Sequence, residues 1–348
     1  MRKIRVAVLG PSDIARRRMI PAIIKSEYCE YAGVAVATAE ERTFSHEKSF
    51  SDEKQISHDK GLVKAAEIQG EYGGEVYDGY MDMLKQNDID AVYVALPPAL
   101  HYRWGLEVLK NGKHLLMEKP FTTDIKDTET LICCAKENDL AVIENFGFKY
   151  HDQMVKIHEM IDSGVIGDIR LIRSNFGFPH RAKDDFRHNS ALGGGALLDC
   201  GCYTIKLIQE LMGSDIDIVQ ASLFGLPDHE VDMYGVITAV DENGTTAQLS
   251  FDMDQQYCCE VDIWGSKGSI SSNRIYTAPA DYETELRVCS GMDRQTVKIG
   301  PVDQFLKTAD KLAVMALCME SKQEIYDEVI RQGRLVEKCI SLQSRAEY

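Results

Sequence analysis

The sequence predicts an α/β protein in two parts: an N-terminal doubly wound parallel sheet over residues 1–147, and a C-terminal α/β domain over 148–348 with an open, mainly antiparallel sheet. Three observations carry this. From residue 3 to about 147, short apolar runs alternate with longer amphipathic ones, the pattern of repeated strand–helix–strand units. The first apolar run ends in a glycine turn that leads into a helix. After Lys149 the texture changes to long strand-like runs broken by turn signals such as Asp241-Glu242-Asn243-Gly244.

In the first part the predicted strands are Ile4 to Leu9, Tyr31 to Ala37, Ala91 to Leu96, His114 to Glu118 and Ala141 to Phe146. Helices are expected near 13–27, 60–72, 99–111 and 125–138, several stopped by Gly or Asn-Gly, as at Asn111-Gly112. The polar stretch from Arg42 to Asp59 has no clean period and reads as an extended excursion. In the second part strands are expected within 168–178, 217–226, 231–253, 257–274 and 283–299, with one helix near 196–212 and a helical tail over 302–343.

A formal charge of -16, from 55 acidic and 39 basic side chains, opposes binding to nucleic acid and to anionic membranes. The N-terminal apolar run is too short for a signal or a span, so a cytoplasmic protein is expected. Ten cysteines include no Cys-x-x-Cys pair, and the sequence assigns no metal site.

The turn Gly10-Pro11-Ser12-Asp13-Ile14-Ala15 stands where a Gly-x-Gly-x-x-Gly/Ala fingerprint would bring backbone close to a pyrophosphate at a helix N-terminus. Ser12 replaces the middle glycine, and its hydroxyl is itself a donor for phosphate. An NAD-selective site usually has a carboxylate at the end of the second strand. Here that strand ends Val36-Ala37-Thr38-Ala39 with Arg42 close behind, so NADP is favoured over NAD; Glu40 and Glu41 are the counter-evidence if either turns inward.

The strand over 114–118 delivers Glu118-Lys119-Pro120 at the end where parallel sheets bind ligands. With Asn111-Gly112-Lys113-His114, Pro97-Pro98-Ala99-Leu100-His101 and Gly193-Gly194-Gly195-Ala196-Leu197-Leu198-Asp199-Cys200-Gly201-Cys202-Tyr203, this turn resembles the signature of the glucose-fructose oxidoreductase, inositol dehydrogenase and rhizopine-catabolism family (Gfo/Idh/MocA) over nearly the whole chain. The resemblance implies an N-terminal Rossmann domain, a C-terminal domain for substrate and oligomerisation, and hydride transfer between a nicotinamide and a sugar-like carbonyl. It makes Lys119 and Tyr203, on different domains, the catalytic pair, and Asp199, Arg187 and Lys119 substrate contacts. Cofactor contacts are expected from Gly10, Ser12, Asp13, Ile14, Thr38, Arg42, Leu96, His101, Glu118 and Lys119.

Tyr203 departs from the histidine of the family's Asp-x-Gly-x-His motif and is similar to the Tyr-bearing members, which include nucleotide-sugar ketoreductases, glucose-fructose oxidoreductase and dihydrodiol dehydrogenases. A free phenol ionises near ~10, so it is a poor base at neutral pH but a serviceable acid for an alkoxide forming as hydride arrives. A nearby lysine cation would stabilise that oxygen. Asp199 and Tyr203, four apart in a helix, share one face.

Asp184-Asp185-Phe186-Arg187, Glu144-Asn145-Phe146 and Tyr276-Thr277-Ala278-Pro279-Ala280 are similar to the nucleotide-linked ketohexose reductases. Arg187 and Lys183 are then candidates for a substrate diphosphate or a cofactor phosphate, through the bidentate fork in the case of arginine. The expected activity is reduction of a nucleotide-linked keto-sugar with NADPH or NADH. The alternatives are an NADP-dependent sugar or dihydrodiol dehydrogenase and a non-catalytic nicotinamide-binding sensor. A homodimer or homotetramer is expected from the open sheet.

Overall fold

The computed structural model describes residues 2–42, 51–213 and 215–343, with the side chains of 51–57 outside the description. The chain divides into two compact units: Met1–Phe121 with Lys126–Asn145 and Phe305–Asp327, and Thr122–Ile125 with Phe146–Gln304 and Glu328–Tyr348.

The first unit is built on β1 (Ile4–Leu9), α1 (Ile20–Lys25), β2 (Cys29–Val36), α2 (Ser51–Tyr72), β3 (Glu75–Asp78), α3 (Tyr80–Leu84), β4 (Ala91–Val94), α4 (His101–Lys110), β5 (His114–Met117), α5 (Ile125–Glu137) and β6 (Val142–Glu144). The strands form a six-stranded sheet in the order β3-β2-β1-β4-β5-β6, parallel throughout. β1 and β4 are nearly continuous apolar runs because both faces of a parallel sheet are covered. The strand order reverses between β1 and β4, which places a ligand crevice outside their carboxyl ends.

Two expectations are corrected here. Of the stretch read as an excursion, residues 43–50 lie outside the described residues, but Ser51 onward is already helix α2, not an extended segment. Its start is too polar to show an amphipathic period. The short β3 and α3 were not anticipated: β3 alternates only between half-buried and exposed positions at the sheet edge, so it has no apolar run to reveal it.

The second unit contains α6 (Asp152–Asp162), β7 (Ile169–Gly177), α7 (Cys202–Met212), β8 (Ile216–Phe224), β9 (Tyr234–Asp241), β10 (Thr246–Asp252), β11 (Cys258–Gly265), β12 (Gly268–Ser272), β13 (Thr284–Ser290) and β14 (Asp293–Ile299). They give an eight-stranded sheet in the order β14-β13-β12-β11-β7-β10-β9-β8. Among the described residues only the β7–β10 pair is parallel, so the sheet is mainly antiparallel as expected. Ile172, Phe176, Ile237, Ala239, Leu249, Phe251, Val261 and Ile263 project to a buried face, where α7 packs. Alternate residues such as Val236 and Trp264 point outward.

α6 was missed by the sequence reading, and the tail is two helices, α8 (Gln304–Ala316) and α9 (Gln323–Leu342), interrupted where Cys318 adopts a left-handed φ of 58°. Among the described residues one helical stretch, Ser190–Met212, is long and apolar enough by composition to cross a membrane, and most of it is buried within the protein, as a core helix is.

Candidate active site

In the first unit the predicted cofactor residues gather at the carboxyl ends of the parallel strands. Gly10 follows β1 with a φ of +92°, and a Cβ there would meet Leu96 Cδ2 at 2.7 Å, so glycine is required both by its backbone and by its neighbour across the switch point. Ser12 Oγ accepts from the Ala15 amide at 3.2 Å and acts as a cap, leaving its proton free to be donated. The helix that opens at Asp13 is wound with wide i→i+5 turns over Ala15–Met19. Its first amides have no acceptor within the helix, the arrangement that suits a phosphate oxygen. Asp13 and Ile14 are both exposed in this first turn.

The end of β2 resolves the question left by Glu41. Thr38 and Glu41 form a reciprocal capping box: Glu41 Oε2 accepts from the Thr38 amide at 2.9 Å, and the Glu41 amide donates to Thr38 Oγ1 at 3.2 Å. Glu41 also receives the amides of Tyr80 at 3.0 Å and Met81 at 2.9 Å, at the start of α3. It does turn inward, but its carboxylate is engaged by backbone amides instead of being offered to a ribose. The cations beside it are Arg42, whose Nε donates to Ala37 O at 3.1 Å, and Arg103, which donates to Glu41 O at 3.2 Å. Sequence reading missed Arg103, which lies on α4 far from the motif.

His101 is fully buried, and its Nδ1 and Nε2 each lie 2.8 Å from a carbonyl, of Pro120 and Leu96 respectively. It was expected to touch the cofactor; in the structure it lies between the loop after β4 and the loop after β5, and its neutral ring has one N–H to donate to one of the two carbonyls. Burial is the main force holding its pKa below the usual histidine range. Lys119 follows β5 at the head of that second loop, with a cis bond to Pro120. Beside it, Glu118 Oε1 accepts from Tyr93 Oη and from Asn145 Nδ2, the latter at 2.6 Å. Desolvation pushes the Glu118 carboxyl above its ordinary range against these bonds. Asn145 Oδ1 is buried with no hydrogen-bond partner in the protein, an acceptor that a ligand hydroxyl or amide would satisfy.

In the second unit Tyr203 sits on the first turn of α7 within a ring of aromatics. Phe146 and Phe176 meet it edge-on with centroids 5.1 Å away, Tyr276 at 5.6 Å, and Phe148 tilted at 6.1 Å. Such edge contacts fix the direction of the phenol ring. Asp199 lies in a second wide turn, Leu197–Gly201, that precedes α7 without a break. Its Oδ2 accepts from Arg187 Nε at 2.7 Å, and Arg187 Nη1 reaches Asp185 Oδ1 at 3.2 Å. Despite burial, the two carboxylates hold the Arg187 pKa above its ordinary value. Arg187 was expected to serve a substrate diphosphate or a cofactor phosphate; in the structure its Nε and Nη1 donate to Asp199 and Asp185. Lys183 is exposed.

Asp232, which the sequence reading did not single out, starts this helix. Its Oδ2 accepts from the Leu197 amide at 2.7 Å and its carbonyl from Ala196 at 2.8 Å, while a Cβ on Gly195 would stand 2.3 Å from Oδ1. Desolvation pushes Asp232 up to about 6. The Gly193–Gly195 run is thus explained by the backbone path into α7, with Gly195 at a φ of +120°.

A parallel sheet in the 3-2-1-4-5-6 order, a glycine turn at its switch point and a lysine at a strand end define a nicotinamide-type dinucleotide oxidoreductase. The chain belongs to the GFO/IDH/MocA oxidoreductase family: residues 4–146 match "Oxidoreductase family, NAD-binding Rossmann fold" and residues 154–271 match "GFO/IDH/MocA C-terminal domain". It is 34% identical over 334 residues to a dTDP-3,4-didehydro-2,6-dideoxy-alpha-D-glucose 3-reductase of Actinomadura kijaniata, covering 96% of this chain and 94% of that one. The enzyme of the same name from Streptomyces violaceoruber is 35% identical over 289 residues, covering 83% of this chain and 78% of the other. A crystal structure of a 3-ketoreductase from Actinomadura kijaniata, in complex with NADP and TDP-benzene, superposes with a TM-score of 0.87 at 33% identity, covering 98% of both chains.

Proposed function

We propose that this protein is an NADPH-dependent ketoreductase that reduces the 3-keto group of a thymidine-diphosphate-linked deoxysugar. The observation that carries the reading is the full-length likeness to a 3-ketoreductase that binds NADP and a thymidine diphosphate compound. The dinucleotide fits the residues present: Gly10 permits close backbone approach, the amides from Asp13 onward suit a pyrophosphate, and Asn145 Oδ1 offers an unsatisfied acceptor. With Glu41 engaged by amides and Arg42 and Arg103 beside it, a 2′-phosphate finds cations where an NAD-selective site keeps a carboxylate.

The bound nicotinamide supplies the hydride. Tyr203 gives its phenolic proton to the oxygen left at the reduced carbon, and Lys119 holds that oxygen and the developing charge. The aromatic ring around Tyr203 keeps its hydroxyl on one line, and Arg187 holds Asp199 where it orients a sugar hydroxyl. His101 lies against the loop carrying Lys119. We further propose a cytoplasmic homo-oligomer, formed through the outward face of the second unit's sheet, where Val236 and Trp264 are exposed; light scattering that finds a monomer contradicts it.

The test is a substrate panel followed at the nicotinamide absorbance. Rapid NADPH oxidation with a thymidine-diphosphate-linked 3-keto-sugar, and little reaction with free aldoses or dihydrodiols, supports the proposal. Faster NADP reduction by an aldose or a dihydrodiol overturns it.

A further inference from the structure

The loops that follow β7 and β8 bring together three histidines that the reductase chemistry does not use. His180 Nε2 and His229 Nε2 lie 3.1 Å apart. The His188 ring stacks on His180 at 4.7 Å and meets His229 edge-on at 5.3 Å, and one ring nitrogen from each of the three lies within 4.8 Å of the others.

Two features set this cluster apart from imidazoles that happen to be neighbours. First, His229 Nδ1 is 3.0 Å from the Pro227 carbonyl. A carbonyl only accepts, so the proton sits on Nδ1 and the Nε2 lone pair faces His180. A metal-bound imidazole is oriented in the same way, by a carbonyl on its other nitrogen. Second, both ring nitrogens of His188 are shielded from solvent, and the Arg181 backbone can serve only one of them, which leaves the other to find a partner. Buried polar atoms are normally satisfied, and an ion among the three rings satisfies this one.

The spacing is also suitable. Zinc–nitrogen bonds of about 2.0–2.1 Å at tetrahedral angles put two ligand nitrogens about 3.3 Å apart, close to the 3.1 Å between His180 and His229.

We propose that His180, His188 and His229 form a site for one divalent first-row transition ion of the kind imidazole selects, such as Zn2+, Co2+ or Ni2+, with its remaining position open to water. The ion ties the loop after β7 to the loop between β8 and β9. His188 is next in the chain to Arg187, so the clamp steadies the segment that holds Asp199. This inference stands apart from the identity of the reductase substrate.

The full-length protein, stripped with chelator and titrated with Co2+, is expected to take up one equivalent per chain with the visible bands of a four- or five-coordinate ion. Zn2+ is expected to bleach them and to raise the unfolding midpoint. His188→Ala and His229→Ala are each expected to abolish the bands, with circular dichroism checking that the variants fold; if either does not, His180→Gln replaces it and the wild-type titration stands by itself. Absence of visible bands in the wild type overturns the proposal. So does a band of thiolate-to-metal charge transfer, which reports cysteine ligands, or a signal that the histidine substitutions leave unchanged.

Discussion

Arg187 Nε donates to Asp199 Oδ2 at 2.7 Å, and the same guanidinium is held from its other side by Asp185. The aspartate that opens the Asp199–Tyr203 motif is therefore anchored from outside its own helix. Arg187→Met leaves two carboxylates close together without their cation. We expect a loss of about 2 kcal/mol in unfolding free energy, below the ~3–5 kcal/mol of a fully buried pair because the site is partly exposed. We also expect a raised KM for the sugar at nearly unchanged KM for NADPH. Denaturant unfolding and steady-state kinetics check both. A raised KM for NADPH alone would return Arg187 to a cofactor phosphate.

Arg42 and Arg103 flank the capped turn after β2. Charge-assisted bonds to a phosphate contribute about 1.5–3 kcal/mol each, so Arg42→Ala or Arg103→Ala should raise the KM for NADPH roughly 10- to 100-fold and leave that for NADH near its wild-type value. Equal effects on the two cofactors would show that neither arginine reads the 2′-phosphate.

Desolvation raises Asp232 from 3.8 to about 6 in the folded protein. The native state then binds more protons than the unfolded chain between those values, so this group's contribution to stability is fully present below about pH 4 and is lost as pH rises through 6. Asp232→Asn removes that dependence. The stability of the variant relative to wild type should therefore rise by about 2 kcal/mol between pH 4 and pH 7. A difference that stays flat across this range would place the Asp232 pKa at its ordinary value.

The parts of the fold readable in the sequence were those built from apolar runs. β1, β5 and β7 are buried along one or both faces, and their ends fell within a residue or two of the expected ones. β3 and the first turns of α2 were not seen, because edge position or polar composition removes the period; α6 does carry one, with Met154, Ile157 and Met160 buried on one face, and was not read from the sequence. The site divided in a similar way. Glu118, Lys119, Asp199 and Tyr203 sit in contiguous motifs and could be proposed from the sequence. Asp232 acts on Leu197 from 35 residues away, and His180, His188 and His229 meet only in three dimensions, so no local pattern marks them. The Thr38–Glu41 capping box was legible as Thr-x-x-Glu and was overlooked, which left the role of Glu41 open.

The most direct test of the account is single-turnover reduction of a thymidine-diphosphate-linked 3-keto-sugar by Tyr203→Phe. The substitution keeps the ring, and with it the edge contacts to Phe146 and Phe176, while removing the proton that the account places on the product oxygen. A fall of about 10²- to 10⁴-fold in the chemical step is predicted, with NADPH binding preserved. Full turnover by this variant would contradict the assignment of Tyr203 as the acid.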